Sequence, residues 1–175
     1  LTASELAGIA ETAGQLGVAK EDIVAFTETV AKIGATTNLT EQEASTAFAR
    51  IANIFQEPIE NVANLASSVV DLGNNFATTE KEIVNFATRS AGAGKIAVLS
   101  TSDIVAIGTA FTSVGVQAEA GGTAVQKVLF SLNDAVNSGG EELEKFARLT
   151  GQTSGDFAKK WRAEPAKAFD DFIKG

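Results

Sequence analysis

Apolar residues recur at three- and four-residue steps along nearly the whole chain, and the runs are punctuated by Gly and by Thr or Ser caps. This spacing predicts about ten short helices. The first carries Leu6, Ile9, Ala10, Ala13 and Leu16 on one face and stops at Gly17, which tolerates the left-handed backbone that ends a helix. The second is expected from about Lys20, with Glu21 and Asp22 in its first turn at the positive end of the helix dipole. It turns Ile23, Phe26, Val30 and Ile33 inward and ends at Gly34.

A capping box opens the third helix: Thr40 and Glu43 each satisfy a free backbone N–H of the first turn. Its inner face is Ala44, Ala47, Phe48, Ile51 and Phe55. The fourth begins with Pro58 in its first turn, where a missing N–H costs nothing, and buries Val62, Leu65, Val69 and Leu72 before Gly73. Thr79 and Glu82 repeat the box for a fifth. Further helices follow from Ser102, about Gly122, Glu141, Ser154 and Pro165, with Phe111, Leu129, Phe146, Phe157, Trp161 and Phe169 as core side chains. No segment remains that reads as a strand, so the expected fold class is all-α with no sheet.

The chain also matches itself. Displaced by 56 residues, Leu6, Ile9, Ala10, Ala13, Leu16 and Gly17 fall on Val62, Leu65, Ala66, Val69, Leu72 and Gly73. Displaced by 60, Ile23, Val24, Phe26, Gly34, Leu39, Thr40 and Glu43 fall on Ile83, Val84, Phe86, Gly94, Leu99, Ser100 and Asp103. Ala-rich amphipathic helices resemble one another without common origin, but here caps and glycines recur as well as apolar positions, which favours duplication. The expected organisation is one continuous helical domain: a repeat unit over 1–56, a second over 57–118, and a degenerate third unit or cap over 119–175. Units of about three helices that leave an apolar face open close it by stacking on the next.

Composition narrows the functions. A chain of 175 residues with 45% apolar content buries a domain core without disulfides or metals. Cys, His, Tyr and Met are absent, which removes disulfide frameworks, Cys/His zinc sites and His-based acid–base chemistry. The net charge of −8 repels phosphate backbones and anionic lipid, so neither nucleic acid nor membrane is an expected partner of this segment. Runs such as Ile96 to Leu99 and Ile104 to Ile107 fall far short of the roughly 20 residues of a membrane helix, and the N-terminus lacks the basic and apolar regions of a signal peptide. The start at Leu1, without Met, suggests a piece of a longer polypeptide.

Candidate chemistry has plainer explanations. The acidic pairs Glu21/Asp22, Glu80/Glu82, Glu141/Glu142 and Asp170/Asp171 have the residue type of general acids or of a hard-cation site, yet they sit in early helical turns or on outer faces, where dipole and solubility roles suffice. Gly92-Ala-Gly-Lys95 is not a phosphate loop, because Arg89 and Ile96 stand where that motif needs Gly and Ser or Thr. Ser100, Thr101 and Ser102 have no His partner and read as a helix cap. Asn38-Leu-Thr40 fits a glycosylation pattern, but Thr40 already serves as a cap. Ala91 to Ala97 suits close helix approach, a hinge, or a plain loop. No catalytic, cofactor or metal residue is assigned, and the expectation is a non-enzyme. Trp161, flanked by Lys160 and Arg162, is the one candidate partner contact, with core packing as the competing role of the indole.

Three stretches carry a family resemblance. Leu16-Gly-Val-Ala-Lys-Glu-Asp-Ile-Val-Ala-Phe26, followed by Lys32-Ile-Gly-Ala-Thr-Thr-Asn-Leu-Thr-Glu-Gln-Glu-Ala44, closely resembles the core region of phage tail tape measure proteins. Gly115-Val-Gln-Ala-Glu-Ala-Gly-Gly-Thr-Ala-Val-Gln-Lys-Val-Leu129 resembles the segment in which a Gly-Thr-Ala turn leads into a long helix, and Leu149-Thr-Gly through Asp156-Phe, Trp161 and Pro165 is similar as well. The resemblance spans nearly the whole chain and brings no catalytic motif. It implies a virion structural protein inside the tail tube, present in the host cytoplasm during assembly, that scaffolds tube polymerisation and sets tail length. Its implied partners are tail tube subunits and tail assembly chaperones, with self-association besides. The competing reading is a helical protein–protein interaction module unrelated to tails. A cell-wall hydrolase fused into a tail protein ranks third.

Overall fold

A Thr or Ser followed three residues later by an acid marks five helix starts, and in four of them the side chain accepts the third residue's N–H while the acid accepts the cap's own: Thr2/Glu5, Thr40/Glu43, Thr79/Glu82 and Ser100/Asp103. These pairs open α1 (Ala3–Gln15), α3 (Glu41–Phe55), α5 (Glu80–Ile96) and α6 (Thr101–Ser113). Between and after them lie α2 (Ile23–Thr36), α4 (Ile59–Asn75), α7 (Ala118–Ser138), α8 (Gly140–Leu149), α9 (Ser154–Ala163) and α10 (Pro165–Lys174). The structure, a computed structural model, describes residues 2–175, so Leu1 lies outside it. Its described residues contain ten helices and no strand, and the fold is all-α.

Helix ends follow a second local rule. Five corners place one residue in the left-handed region: Gly17, Gln56, Val98, Gly115 and Gly151. In each, that residue donates its N–H to the carbonyl three back, and its successor donates to the carbonyl five back, as Val18 does to Ala13 and Leu99 to Gly94. Terminal carbonyls are thereby satisfied while the chain reverses.

Several predicted boundaries move. Lys20 to Asp22 form a turn ahead of α2, so Glu21 and Asp22 are not in its first turn, and Asp22 caps without a side-chain hydrogen bond. Pro58 is the N-cap of α4 and lies outside its first turn. Gly34 and Gly73 do not stop their helices, which run on to Thr36 and Asn75. Both let the next helix approach: a Cβ on Gly34 would lie 2.8 Å from Glu41 Cγ, and one on Gly73 would lie 2.7 Å from Glu80 Cδ. α7 starts at Ala118, before Gly122, because Gly121 and Gly122 are helical positions packed on α5. Ala91 to Ala97 form no loop: α5 continues through Ile96, and a Cβ on Gly94 would meet Ile104 Cδ1 at 2.5 Å.

The helices share one core, from Ile9 to Phe169. α1, α2 and α3 pack mutually, as do α4, α5 and α6, and α3 joins the two sets through α5. The α5–α7 interface is the most extensive, and α8, α9 and α10 form an outer layer in which α8 packs on α7, α9 on α8 and α10 on α9. Phe26, Phe48, Phe86 and Phe157 are fully buried, each stabilising the fold by about 1.5–3 kcal/mol. The buried hydroxyls of Ser90, Thr109 and Thr112 donate to carbonyls one turn back in their own helices, so they enter the core satisfied.

Corners at each end of the bundle are tied together. At one end Asn53 Nδ2 donates to Leu16 O (3.5 Å), Lys95 Nζ to Phe55 O (3.1 Å) and Thr101 Oγ1 to Glu57 Oε1 (3.2 Å). At the other, Lys81 N donates to Asn38 Oδ1 (3.2 Å), and the hydroxyls of Thr78 and Thr112 share a 2.7 Å hydrogen bond.

Candidate partner-contact sites

α9 is positioned by its cap and by a pair of aromatic rings. Thr153 accepts the N–H of Asp156, and Phe157 and Trp161, one turn apart, stack at 6.4 Å between centroids. The sequence pattern places Lys160, Trp161 and Arg162 together, and the structure turns all three toward neighbouring helices. Trp161 is 3% exposed, and its Nε1 is directed at Asn133 Oδ1 of α7 at 3.5 Å. Arg162 Nη2 donates to Val136 O at 2.9 Å, satisfying a carbonyl in the last turn of α7. Lys160 forms an ion pair with Asp171 of α10, and Gln152 Nε2 donates to the same carboxylate at 3.2 Å. The Lys160 ammonium beside it holds the Asp171 carboxyl below its ordinary range. The triplet therefore braces α9 against α7 and α10, and the indole leaves a partner almost no surface to touch.

The acidic pairs separate rather than converge. Glu82 closes a cap, Glu80 lies across Gly73, Asp170 pairs with Lys174, and Asp171 with Lys160. Glu141 and Glu142 occupy the exposed first turn of α8. Among the described residues no three acidic side chains stand close enough to hold a metal ion. Lys95 sits in the last turn of α5 and lies 5.9 Å over the Phe55 ring while binding its carbonyl, which is an inter-helix tie. Ser100 caps α6.

One carboxylate is strongly perturbed. Glu43 closes its capping box with Oε2 and reaches Lys81 Nζ at 2.6 Å with Oε1, linking α3 to α5. The Lys81 ammonium first, and the Thr40 N–H second, lower its pKa to about 2. Both partners are about 40% exposed, so the pair is a surface clasp.

Two surface grooves escaped the sequence reading. An apolar one of about 290 Å³ runs between α6 and α10, lined by Ile107, Phe111, Phe169 and Ile173, with Asp103 and Asp170 on its rim. A polar one of about 520 Å³ lies between α3 and α5, where Arg50 and Arg89 face Gln42, Thr46 and Thr88. Neither has a sequence signature, because each gathers residues from helices distant along the chain. Nothing in the grooves or the α9 brace constitutes a set of reacting groups. No described helix is long and apolar enough to cross a membrane.

Comparison with known proteins gives an independent reading. The family model described as phage-related minor tail protein matches residues 1–174. A probable tape measure protein of Halomonas phage phiHAP-1 is 24% identical over 154 residues, covering 83% of this chain and 18% of that relative. This chain thus spans less than a fifth of the curated relative's length. No solved structure matches.

Proposed function

The chain belongs to the phage-related minor tail protein family, and from that premise we propose that it is a segment of a tape measure protein that scaffolds tail tube assembly and contributes to tail length. The observation that carries this reading is the family match along essentially the whole chain, joined by a relative named as a probable tape measure protein. The family is a tail protein family and not an enzyme class. The segment acts in the lumen of the tube, with tail tube subunits and assembly chaperones as its partners.

The all-helical architecture supports the ruler role through geometry. Helices advance about 1.5 Å per residue, so 175 residues drawn into one helix span about 260 Å. Folded, the same residues have a radius of gyration near 16 Å and a width of roughly 40 Å. Where the lumen is narrower than that, the bundle lengthens or sits at one end of the tube. Short corners suit lengthening, since four-fifths of the chain is already helical. Duplication of a three-helix unit, 1–56 and 57–118 followed by 119–175, is how such a ruler grows. Its support is the capping box that opens the third helix of each unit, at Thr40 and at Ser100, and the mutual packing within α1–α3 and within α4–α6.

The test is an in-frame deletion of these residues from the parent phage, with tail lengths read by electron microscopy. Tails shorter by about 260 Å are expected. Tails of unchanged length would overturn the ruler role and leave a folded station at one end of the tube.

A further inference from the structure

Of the five left-handed corners, four carry residues suited to that backbone. Gly17, Gly115 and Gly151 have no Cβ, and Gln56 is unbranched at Cβ. Val98 is the exception. It is β-branched at φ +60°, among the least favourable states for such a side chain, and it is 76% exposed, so no burial offsets the crowding.

The same corner stands out by a second, independent observation. Steps of four and three residues lead from Ser90 through Gly94, Ala97, Thr101 and Ile104 to Gly108, and every position on that path is buried. The path passes straight through the turn. At the other early corners the equivalent path comes to the surface, at Thr40 before α3, at Pro58 before α4, and at Phe76 and Thr79 before α5. Proline does not stand in the way: the two in the chain are Pro58 and Pro165, so nothing at this corner forbids continuous helix.

We propose that the α5–α6 corner is a joint that straightens. Val98 passes from the left-handed to the right-handed region, its N–H and that of Leu99 exchange their corner acceptors for helical ones, and residues 80–113 become one helix of about 51 Å. The buried stripe of mostly small side chains then runs along that helix without a break, which keeps one face available for packing in both forms. The hairpin is the resting form, held by the Ser100/Asp103 capping box and by the ties of Lys95 to Phe55 and of Thr101 to Glu57. The α3–α4 corner has a similar hydrogen-bond pattern but cannot follow, because Pro58 interrupts any helix drawn through it. The proposal rests on the lengthening reading above and names the place where lengthening starts.

A chain without cysteine makes the experiment direct. Spin labels at Arg89→Cys and Ala110→Cys report the α5–α6 distance by double electron–electron resonance. Packed neighbouring helices, with axes 8–10 Å apart, hold them within about 20 Å, whereas a straight helix separates them by about 32 Å. With the capping box removed by Ser100→Ala and Asp103→Ala, a second population near the longer distance is expected. Adding Val98→Gly should suppress it, and Ser100→Pro in place of Ser100→Ala, which puts at α6 the N-cap that Pro58 provides at α4, should abolish it. A single short distance in the capless variant overturns the joint. So does a long component that survives Ser100→Pro, and so does a broad distribution accompanied by loss of helix in circular dichroism. A long population in solution together with unchanged tail length after the deletion would sustain the joint and reject the ruler reading.

Discussion

Where α5 meets α6 and α7 the chain packs by leaving side chains out, whereas between α7 and α9 it packs by reaching across with large ones. Phe86 lies in a bed of glycines: a Cβ on Gly108 or Gly121 would come within 3.0 or 3.1 Å of its ring, and one on Gly122 within 3.1 Å of its carbonyl. Phe111 covers the ring at 5.8 Å. In the outer layer Phe157 and Trp161 stack, Phe146 meets Phe172 edge-on, and Arg162 and Lys160 extend to α7 and α10. The first interface depends on backbone spacing, so damage spreads along all three helices that meet at Phe86. The second depends on individual side chains, so damage stays near them.

The strongest way to break this contrast is Phe86→Ala. Removing the ring leaves a cavity that surrounding backbone cannot close, with an expected loss of about 3–5 kcal/mol and a fall in Tm on the order of 10 °C. Hydrogen exchange should then speed up throughout α5, α6 and α7. Trp161→Ala carries a similar local cost, but faster exchange should be confined to α8, α9 and α10. If Trp161→Ala opens α5 as readily as Phe86→Ala does, the two interfaces are one cooperative unit and the distinction fails.

A paired glycine experiment sharpens it further. Gly122→Ala forces a methyl against Arg89 Cβ at 3.0 Å and against the backbone of Phe86, and should cost about 1–3 kcal/mol in urea denaturation. Gly92→Ala, in the same α5 with nothing within 4 Å of the new atom, should instead stabilise by about 0.5–1 kcal/mol through helix propensity. Equal effects of the two would mean that α5 and α7 are not closely keyed. Val98→Gly relieves the left-handed valine and should raise stability by about 1 kcal/mol, the balance of steric relief and glycine's greater unfolded freedom.

Local signals were legible in the sequence, and the keyed contacts were not. Thr40 with Glu43, Thr79 with Glu82, and Gly17 each declare a helix boundary through their own neighbours along the chain. Gly34, Gly73, Gly121 and Gly122 look the same in sequence as a stop signal, yet each is helical and answers to a side chain on another helix. Val98 gives the opposite lesson, since a corner that usually asks for glycine holds a β-branched residue and cannot be recognised by composition. Trp161 was readable as a large apolar anchor, but only the placement of Asn133, Val136 and Asp171 shows that the indole is buried while Lys160 and Arg162, still reached by solvent, extend to neighbouring helices.

Acid gives the smallest effect and compares two clasps directly. Glu43 binds Lys81 across α3 and α5, and its carboxyl is lowered from an ordinary 4.5 to about 2. A carboxylate depressed on folding adds stability above its unfolded pKa, and that stability is lost as pH falls from about 4.5 toward 2. Because the pair is about 40% exposed and screened by solvent, the loss should stay below about 1 kcal/mol and shrink in high salt. Glu43→Gln keeps an acceptor for the Thr40 N–H but carries no charge, so its urea midpoint should change less between pH 6 and pH 2.5 than that of the natural chain. The Lys160–Asp171 clasp titrates in the same direction and remains in that variant. If Glu43→Gln and the natural chain lose the same stability over this range, the acid sensitivity belongs to the other lowered carboxyls, Asp171 and Glu5, and the Glu43 clasp contributes nothing to it.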